Sequence, residues 1–169
     1  MAEYRDDRTG TAETMASMPR RLMPGVPAAA GWLGLSGLLP FFGLSLMLIF
    51  EVGPGDRIAG LLAEYGAVIL SFMGGCRWGF AAAGHGASPG GATALWRYGI
   101  SVLPALWAWP VLAMPDPWRM GLLALGFLGL LAADVRLAEA EGAPTWWPAM
   151  RWPLTLGAAA SLLFAALAG

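Results

Sequence analysis

The chain has 169 residues, of which 57% are hydrophobic and only 12% are charged. Soluble domains carry about 25% charged residues, so this composition cannot cover a water-facing surface and indicates an integral membrane protein. The net charge is −1 and no basic tail or stripe is present, which argues against a nucleic-acid partner. A single cysteine excludes an intramolecular disulfide and a cysteine-based zinc or iron–sulfur site within one chain.

The N-terminal segment over 1–27 is polar and mixes arginine with aspartate and glutamate. A secretory signal would need an apolar core near its start, and a mitochondrial transit peptide would avoid the acidic residues. We therefore predict a disordered cytoplasmic tail, with the Pro-Gly-Val-Pro sequence at 24–27 as its joint to the membrane domain.

Five apolar runs follow, and the first four are long enough to cross a hydrocarbon core of about 30 Å as helices. The last run has 17 residues and spans only if it stands nearly upright. Pro40 lies in the middle of the first run and is expected to kink it. The stretch at 138–151 is too polar to span and rich in tryptophan, so we predict that it lies along the interface, with Pro153 in the first turn of the last helix. The predicted fold is an all-α integral membrane bundle over 28–169 with five transmembrane helices, at 28–50, 58–84, 94–114, 118–137 and 152–168.

Arginines near the helix ends predict the orientation of this bundle. With the N-terminus inside, only Arg57 and Arg119 fall on the outer side. The arginines that fall on the inner side are Arg5, Arg8, Arg20, Arg21, Arg97, Arg136 and Arg151. Because cytoplasmic loops carry an excess of arginine and lysine, we predict that the N-terminus is inside and the C-terminus outside.

Small residues recur at every fourth position of the second predicted helix, which we expect to be the central helix of the bundle. In lipid, helices associate through close backbone approach, which small residues at this spacing allow. Arg77 lies two residues after Gly75, about 200° around the helix, so it points away from this stripe. The stripe runs through Ala63, Ala67, Ser71, Gly75, Gly79 and Ala83, and helix packing is predicted at Ala67, Ser71, Gly75 and Gly79.

The predicted topology brings several polar groups to the inner leaflet. Charged groups inside a membrane are costly and usually face partners or a cavity, so we expect Asp134 to pair with Arg77 or Arg151. The alternative is that Arg77 extends alone to the headgroups while Asp134 ends its helix in water. The predicted inner-leaflet cluster consists of Arg77, Trp78, Arg97, Asp134 and Arg151.

The other polar residues form no catalytic set. Glu64 is either a proton or cation site or an interfacial anion near a helix N-terminus, where negative charge is stabilised. His85 is the single histidine, which makes a poor metal site unless subunits share it. The sequence offers no Ser–His–Asp set, no paired inward carboxylates and no HExxH motif. We predict a protein that is not an enzyme and that has no cofactor and no metal site.

Several segments resemble the transmembrane protein 69-like family, a bacterial and mitochondrial membrane domain of unknown function. They are GLSGLLPFF in the first predicted helix, YGAVILSFMGGCRWGFA in the second, Asp134 in the fourth, and WWPAMRWPLTL before the last. The resemblance covers about 33–156 and implies a bacterial inner-membrane location. It implies signature positions at Pro40, Ser71, Gly74, Gly75, Trp78, Gly79, Asp134 and Arg151. Arg77 departs from the family, in which this position is often histidine, and this argues against a proton relay because arginine keeps its proton.

We predict a multi-pass protein of the bacterial inner membrane that acts as a non-catalytic accessory, scaffold or assembly component of a membrane complex. Its predicted partners are the lipid bilayer and other membrane proteins, with no nucleic acid. The alternative is a binder or carrier of a small lipophilic or anionic ligand, such as a lipid, quinone or tetrapyrrole, at the inner-leaflet cluster. Ion transport through Glu64 and Asp134 is a weaker hypothesis, because the residues between them are apolar.

Overall fold

The computed structural model describes residue 23 and residues 25–83, 92–137 and 143–168. The secondary structure of these residues consists of six helices: α1 (Ala28–Ser36), α2 (Leu39–Ile49), α3 (Gly55–Ala83), α4 (Ala92–Val111), α5 (Trp118–Leu137) and α6 (Trp147–Ala168). Four stretches are long and apolar enough to cross a membrane, namely Ala28–Ile49, Gly55–Ala83, Trp118–Arg136 and Trp147–Ala168. The predicted class, an all-helical multi-pass membrane protein, is therefore confirmed. The five-span count and the orientation stay predictions.

The helix α4 is not among these four stretches, and it contains two internal prolines, Pro104 and Pro110. It runs from the C-terminal end of α3 to the N-terminal end of α5. The ring centroids of Trp78, near the end of α3, and Tyr98, near the start of α4, are 4.7 Å apart. Near the end of α4, the indole Nε1 of Trp107 donates a hydrogen bond of 2.9 Å to the carbonyl oxygen of Leu122, near the start of α5. Thus α4 runs antiparallel to both α3 and α5.

The predicted kink near Pro40 is a short break between α1 and α2 at residues 37–38, which keep right-handed helical backbone angles. Pro40 lies in the first turn of α2, where its missing N–H would have had no intrahelical partner. The carbonyl oxygen of Gly37 accepts a hydrogen bond of 2.9 Å from the hydroxyl of Tyr65 on α3. This hydrogen bond therefore links the break between α1 and α2 to α3.

Replacing Tyr65 with phenylalanine is expected to lower the free energy of unfolding by about 0.5–1.5 kcal/mol, the usual net worth of one hydrogen bond. The variant keeps the aromatic contact with Phe41, whose ring centroid lies 5.0 Å from that of Tyr65. Thermal unfolding in detergent micelles, followed by circular dichroism, measures the difference. An unchanged stability would mean that side-chain packing alone holds the break in place.

The helices α3 and α6 share the centre of the bundle. Each contacts four other helices: α3 contacts α2, α4, α5 and α6, and α6 contacts α1, α2, α3 and α5. Their core residues include Leu62, Leu70 and Leu162, which have no exposed surface. The ring of Phe41 on α2 packs edge-on against that of Phe127 on α5, with centroids 5.8 Å apart. The second predicted helix is central, as expected, but it shares that position.

The predicted small-residue stripe on α3 is only partly directed at neighbouring helices. Ala67 is buried and Ser71 is half-buried, whereas Gly75 and Gly79 are exposed with nothing within 4 Å of an added Cβ. Within this chain the packing prediction is wrong for these two glycines. Four residues advance a helix by about 400°, so a stripe of period four winds about 40° per step and leaves the packed face.

The close approach on this part of α3 belongs to Gly74 instead. A Cβ at Gly74 would collide with the carbonyl oxygen of Ser101 and would lie 3.2 Å from Cγ of Pro104, both on α4. Because a small residue permits this backbone contact, Gly74 sets the distance between α3 and α4 near this point.

The last helix begins earlier than predicted, at Trp147 rather than residue 152. The predicted start of the last helix is therefore wrong, and Trp147, Met150 and Arg151 are buried in the first turns of α6. Pro153 consequently lies inside this helix and not in its first turn. Residues 138–142 lie outside the described residues.

The joint between the N-terminal tail and α1 packs against the start of α6. Met23 and Val26 are buried in a small apolar cluster with Trp147 and Met150. Gly25 between them has φ +80°, a conformation that glycine adopts without strain. The predicted disorder of the tail and the proposed role of His85 concern residues outside the described part of the chain.

Candidate functional site

Three charged side chains from three helices meet inside the bundle. Nη1 of Arg77 on α3 lies 2.6 Å from Oδ1 of Asp134 on α5, and Nε of Arg151 on α6 lies 2.7 Å from Oδ2 of the same carboxylate. The exposed fractions of these residues are 2%, 2% and 1%. We call these three residues the ion triad. Both of its salt bridges are buried, and a single carboxylate joins α3, α5 and α6.

The direction of the helices explains why these residues meet. Arg77 and Asp134 lie near the C-terminal ends of α3 and α5, whereas Arg151 lies in the second turn of α6. Since α3 and α5 run parallel and α6 returns antiparallel, these three ends lie at the same level of the bundle. The two cations and the anion are therefore neighbours in space despite sequence separations of 57 and 17 residues.

The guanidinium of Arg151 has further neighbours. Its Nη1 contacts Sδ of Met73 on α3. Its central carbon lies 5.8 Å from the ring centroid of Trp147, a cation–π distance. Its Nη2 is buried and has no hydrogen-bond partner among the described residues. This nitrogen is thus enclosed by the protein.

Chemically, the ion triad is suited to holding three helices together. Breaking such a pair leaves an uncompensated charge in a low-dielectric interior, which is strongly destabilising. Arginine keeps its proton at any physiological pH, so Arg77 and Arg151 are not general acids or bases. The triad therefore acts through charge and hydrogen bonding.

Two members of the predicted cluster have other positions. Trp78 is 48% exposed, and its ring pairs with that of Tyr98 on α4. Arg97 is half-buried on α4, and its carbonyl oxygen accepts a hydrogen bond of 3.0 Å from the hydroxyl of Ser101. The described hydrogen bonds of Asp134 run to Arg77 and Arg151 only, so the triad contains three of the five predicted residues.

A cavity of about 100 Å³ lies beside the ion triad, and we call it the Arg151 cavity. Residues of α1, α2, α3, α5 and α6 line it, and all are apolar except Arg151 and Thr155. Thr155 is 1% exposed, and its Oγ1 has no hydrogen-bond partner among the described residues. Thr155 is not among the site residues predicted from the sequence, although its spacing of four from Arg151 places both residues on one helix face.

Comparison with known proteins identifies the family. Residues 26–167 match the profile of a family described as "Protein of unknown function (DUF3429)", which covers nearly all of the described helices. The chain belongs to the DUF3429 family. Transmembrane protein 69 of Xenopus tropicalis is 46% identical to this DUF3429 protein over 55 residues, which are 32% of this chain. The chain spans only 22% of the length of that relative.

These matches confirm the resemblance to the transmembrane protein 69-like family that the sequence motifs indicate. No solved structure matches the DUF3429 chain. A functional proposal therefore rests on the geometry of the helices, the triad and the cavity.

Proposed function

We propose that this DUF3429 protein is a non-catalytic component of an inner-membrane complex, and that its α3 helix docks a transmembrane helix of another protein. One observation carries the proposal. Gly75 and Gly79 are exposed on the outward face of α3, and nothing lies within 4 Å of either Cβ position. Small residues at this spacing let two helix backbones approach closely in lipid, where hydrophobic burial gives no driving force.

The glycines belong to a longer outward face. Glu64, Val68 and Gly75 are all exposed and lie within about 40° of one another around the helix. Ser71 lies on the same side and is half-buried. The hydroxyl of Ser71 donates a hydrogen bond of 2.8 Å to the carbonyl oxygen of Ala67 in its own helix. The carboxylate of Glu64 favours a partner that supplies hydrogen-bond donors, because polar groups are costly against acyl chains. We name Glu64, Val68, Ser71, Gly75 and Gly79 the α3 outer face.

The proposal includes the predicted topology of five spans with the N-terminus inside, in a bacterial inner membrane. The course of α4 supports the count. This helix leaves the end of α3 that carries Trp78 and reaches the start of α5 near Leu122, so it runs the distance that its neighbours run. The arginine distribution supports the orientation.

The test is a double substitution, Gly75→Leu with Gly79→Leu, in the full chain. Two leucines fill the space that a partner helix would occupy, so co-purification of the partner from native membranes is expected to fall about tenfold or more, equivalent to about 1.4 kcal/mol. Quantitative mass spectrometry of mild-detergent extracts measures the recovery. Because both positions face open space, the free energy of unfolding should change by less than about 0.5 kcal/mol.

Gly43→Leu is the matched control. Gly43 is also exposed in a helix with nothing within 4 Å of its Cβ position, but it lies on α2. This variant should recover partners as the unaltered chain does. The proposal would be overturned if the double variant recovered as much partner protein as the unaltered chain. It would also be overturned if the unaltered chain were extracted from the membrane without any associated protein.

A further inference from the structure

We propose that a groove between α5 and α6 binds one anionic phospholipid, with its phosphate at Arg136 and an acyl chain along the groove. The groove has a volume of about 330 Å³, and we call it the α5–α6 groove. Its walls are formed by Arg136 and four apolar residues between 128 and 135 on α5, and by Trp152 and Leu156 on α6. No residue of α3 lines it, so this inference does not depend on a helix docked at the α3 outer face, and either proposal can fail alone.

Arg136 is a cation that the fold leaves accessible and without a counter-ion. It lies in the last turn of α5, its side chain is exposed, and it forms no hydrogen bond or ion pair with the residues that the structure describes. Asp134 lies two residues earlier, about 200° around the helix, and is engaged by Arg77 and Arg151. The guanidinium of Arg136 can therefore bind an anion from outside the chain.

The apolar walls of the groove suit a hydrocarbon chain. Leu128, Val135, Trp152 and Leu156 are each between 39% and 49% exposed, so the groove is open to the outside of the bundle. Leu128 lies eight residues before Arg136, about 12 Å along the axis of α5. The groove therefore runs from the charged end of α5 toward the middle of that helix. Its volume is more than twice the 150 Å³ or so that takes up benzene, which leaves room for a segment of an acyl chain.

Tryptophan lies at the same end of the groove as the charge. Trp152 directly follows Arg151, which bonds Asp134 on the last turns of α5, so Trp152 is near the level of Arg136. Tryptophan favours the headgroup level of a membrane. The groove thus presents a cation and an interfacial aromatic ring at its end and apolar side chains beyond them, which is the order of phosphate, interface and chain in a phospholipid.

The charge of Arg136 favours an anionic phospholipid over a zwitterionic one. A guanidinium forms charge-assisted hydrogen bonds to phosphate oxygens. The phosphate of phosphatidylcholine already has a cation in its own headgroup, whereas phosphatidylglycerol keeps a net negative charge. Each arginine or lysine near an anionic leaflet strengthens binding by roughly fivefold.

The test uses the full chain in nanodiscs that contain equal amounts of phosphatidylglycerol and phosphatidylcholine with the same acyl chains. Native mass spectrometry counts the lipids that stay on the released protein. We expect one retained phosphatidylglycerol per chain, enriched about fivefold over phosphatidylcholine. Free glycerol phosphate should not displace it, because the acyl chain supplies part of the binding.

Arg136→Gln should reduce the ratio of the two retained lipids to about one, since it removes the charge that distinguishes them. Arg57→Gln is the matched control. Arg57 is also exposed, but it lies at the start of α3, at the opposite end of the bundle and outside the groove lining. Its loss should leave the ratio within about twofold of that of the unaltered chain.

Ala132→Phe tests the part of the groove that holds the chain. Ala132 is exposed in the groove wall, so a phenylalanine there fills the space and keeps the charge of Arg136. Retention of phosphatidylglycerol should fall about tenfold. Ala82→Phe, at an exposed alanine on α3 outside the groove lining, should retain the lipid as the unaltered chain does.

Four results would overturn the inference. Equal retention of the two lipids by the unaltered chain would mean that the groove does not select an anion, and retention of neither would leave it to a helix of another protein. Displacement by glycerol phosphate would assign Arg136 to a soluble phosphate. Equal ratios for Arg136→Gln and Arg57→Gln would place the lipid elsewhere. The first three results need no substitution, so they decide the matter even if a variant fails to fold.

Discussion

Replacing Asp134 with asparagine is expected to destabilise the folded bundle by about 3–5 kcal/mol, the cost of leaving a buried charge without its partner. The neutral amide would leave the two guanidinium groups of the ion triad without their shared carboxylate, and both are at most 2% exposed. The amide nitrogen would also turn a donor toward one of them. Equilibrium unfolding in mixed micelles, followed by circular dichroism, measures the loss.

Asp116→Asn provides the control for this prediction. Asp116 accepts two hydrogen bonds from Arg119, one of 3.1 Å from Nε and one from Nη2, but its side chain is 35% exposed and that of Arg119 is 19% exposed. Solvent-exposed ion pairs contribute about 0–1 kcal/mol, so this variant should be nearly as stable as the unaltered protein. If both variants lost the same small amount, the triad would not be a structural clamp.

Replacing Gly74 with alanine is expected to lower the free energy of unfolding by about 1–3 kcal/mol, the usual cost of an overpacked contact. The new methyl group would meet the carbonyl oxygen of Ser101, which is backbone and cannot rotate away. The helices α3 and α4 would have to separate around this point. The same unfolding assay measures the effect.

Gly75→Ala tests the rotation of α3 about its axis. Gly75 follows Gly74 directly, yet nothing lies within 4 Å of its Cβ position. Alanine there should change the stability by less than about 0.5 kcal/mol. A larger loss at Gly75 than at Gly74 would show that the face of α3 that contacts α4 has been assigned incorrectly.

The sequence predicts the ion triad in part. A charge within an apolar helix needs a partner, so Arg77 and Asp134 are candidates from their positions in the apolar runs, and Arg151 is a candidate because it directly precedes the last run on the same side. The choice between Arg77 and Arg151 as the partner of Asp134 depends on helix directions. In the fold both arginines reach the carboxylate, because the ends of α3 and α5 and the beginning of α6 lie together.

Helix boundaries are predictable where the chain changes from apolar to turn-forming, as at 118–137, which coincides with α5 (Trp118–Leu137). The start of α6 is not. Trp147, Met150 and Arg151 resemble an interfacial segment because they lie in a stretch rich in tryptophan and polar residues, but in the fold they are buried against Met23, Val26 and the triad. Contacts with residues distant in sequence override the local composition there.

The amino-acid sequence alone determines that this protein is a helical membrane protein, because too few charged residues exist to cover a soluble surface. It also determines which charges must find partners within the membrane. Only the tertiary structure decides that Gly74 packs while Gly75 and Gly79 face outward, and that Thr155 joins Arg151 at a cavity. The reason is physical: lipid and the bundle interior are both apolar, so the hydrophobic pattern that marks the buried face of a soluble helix does not mark it here.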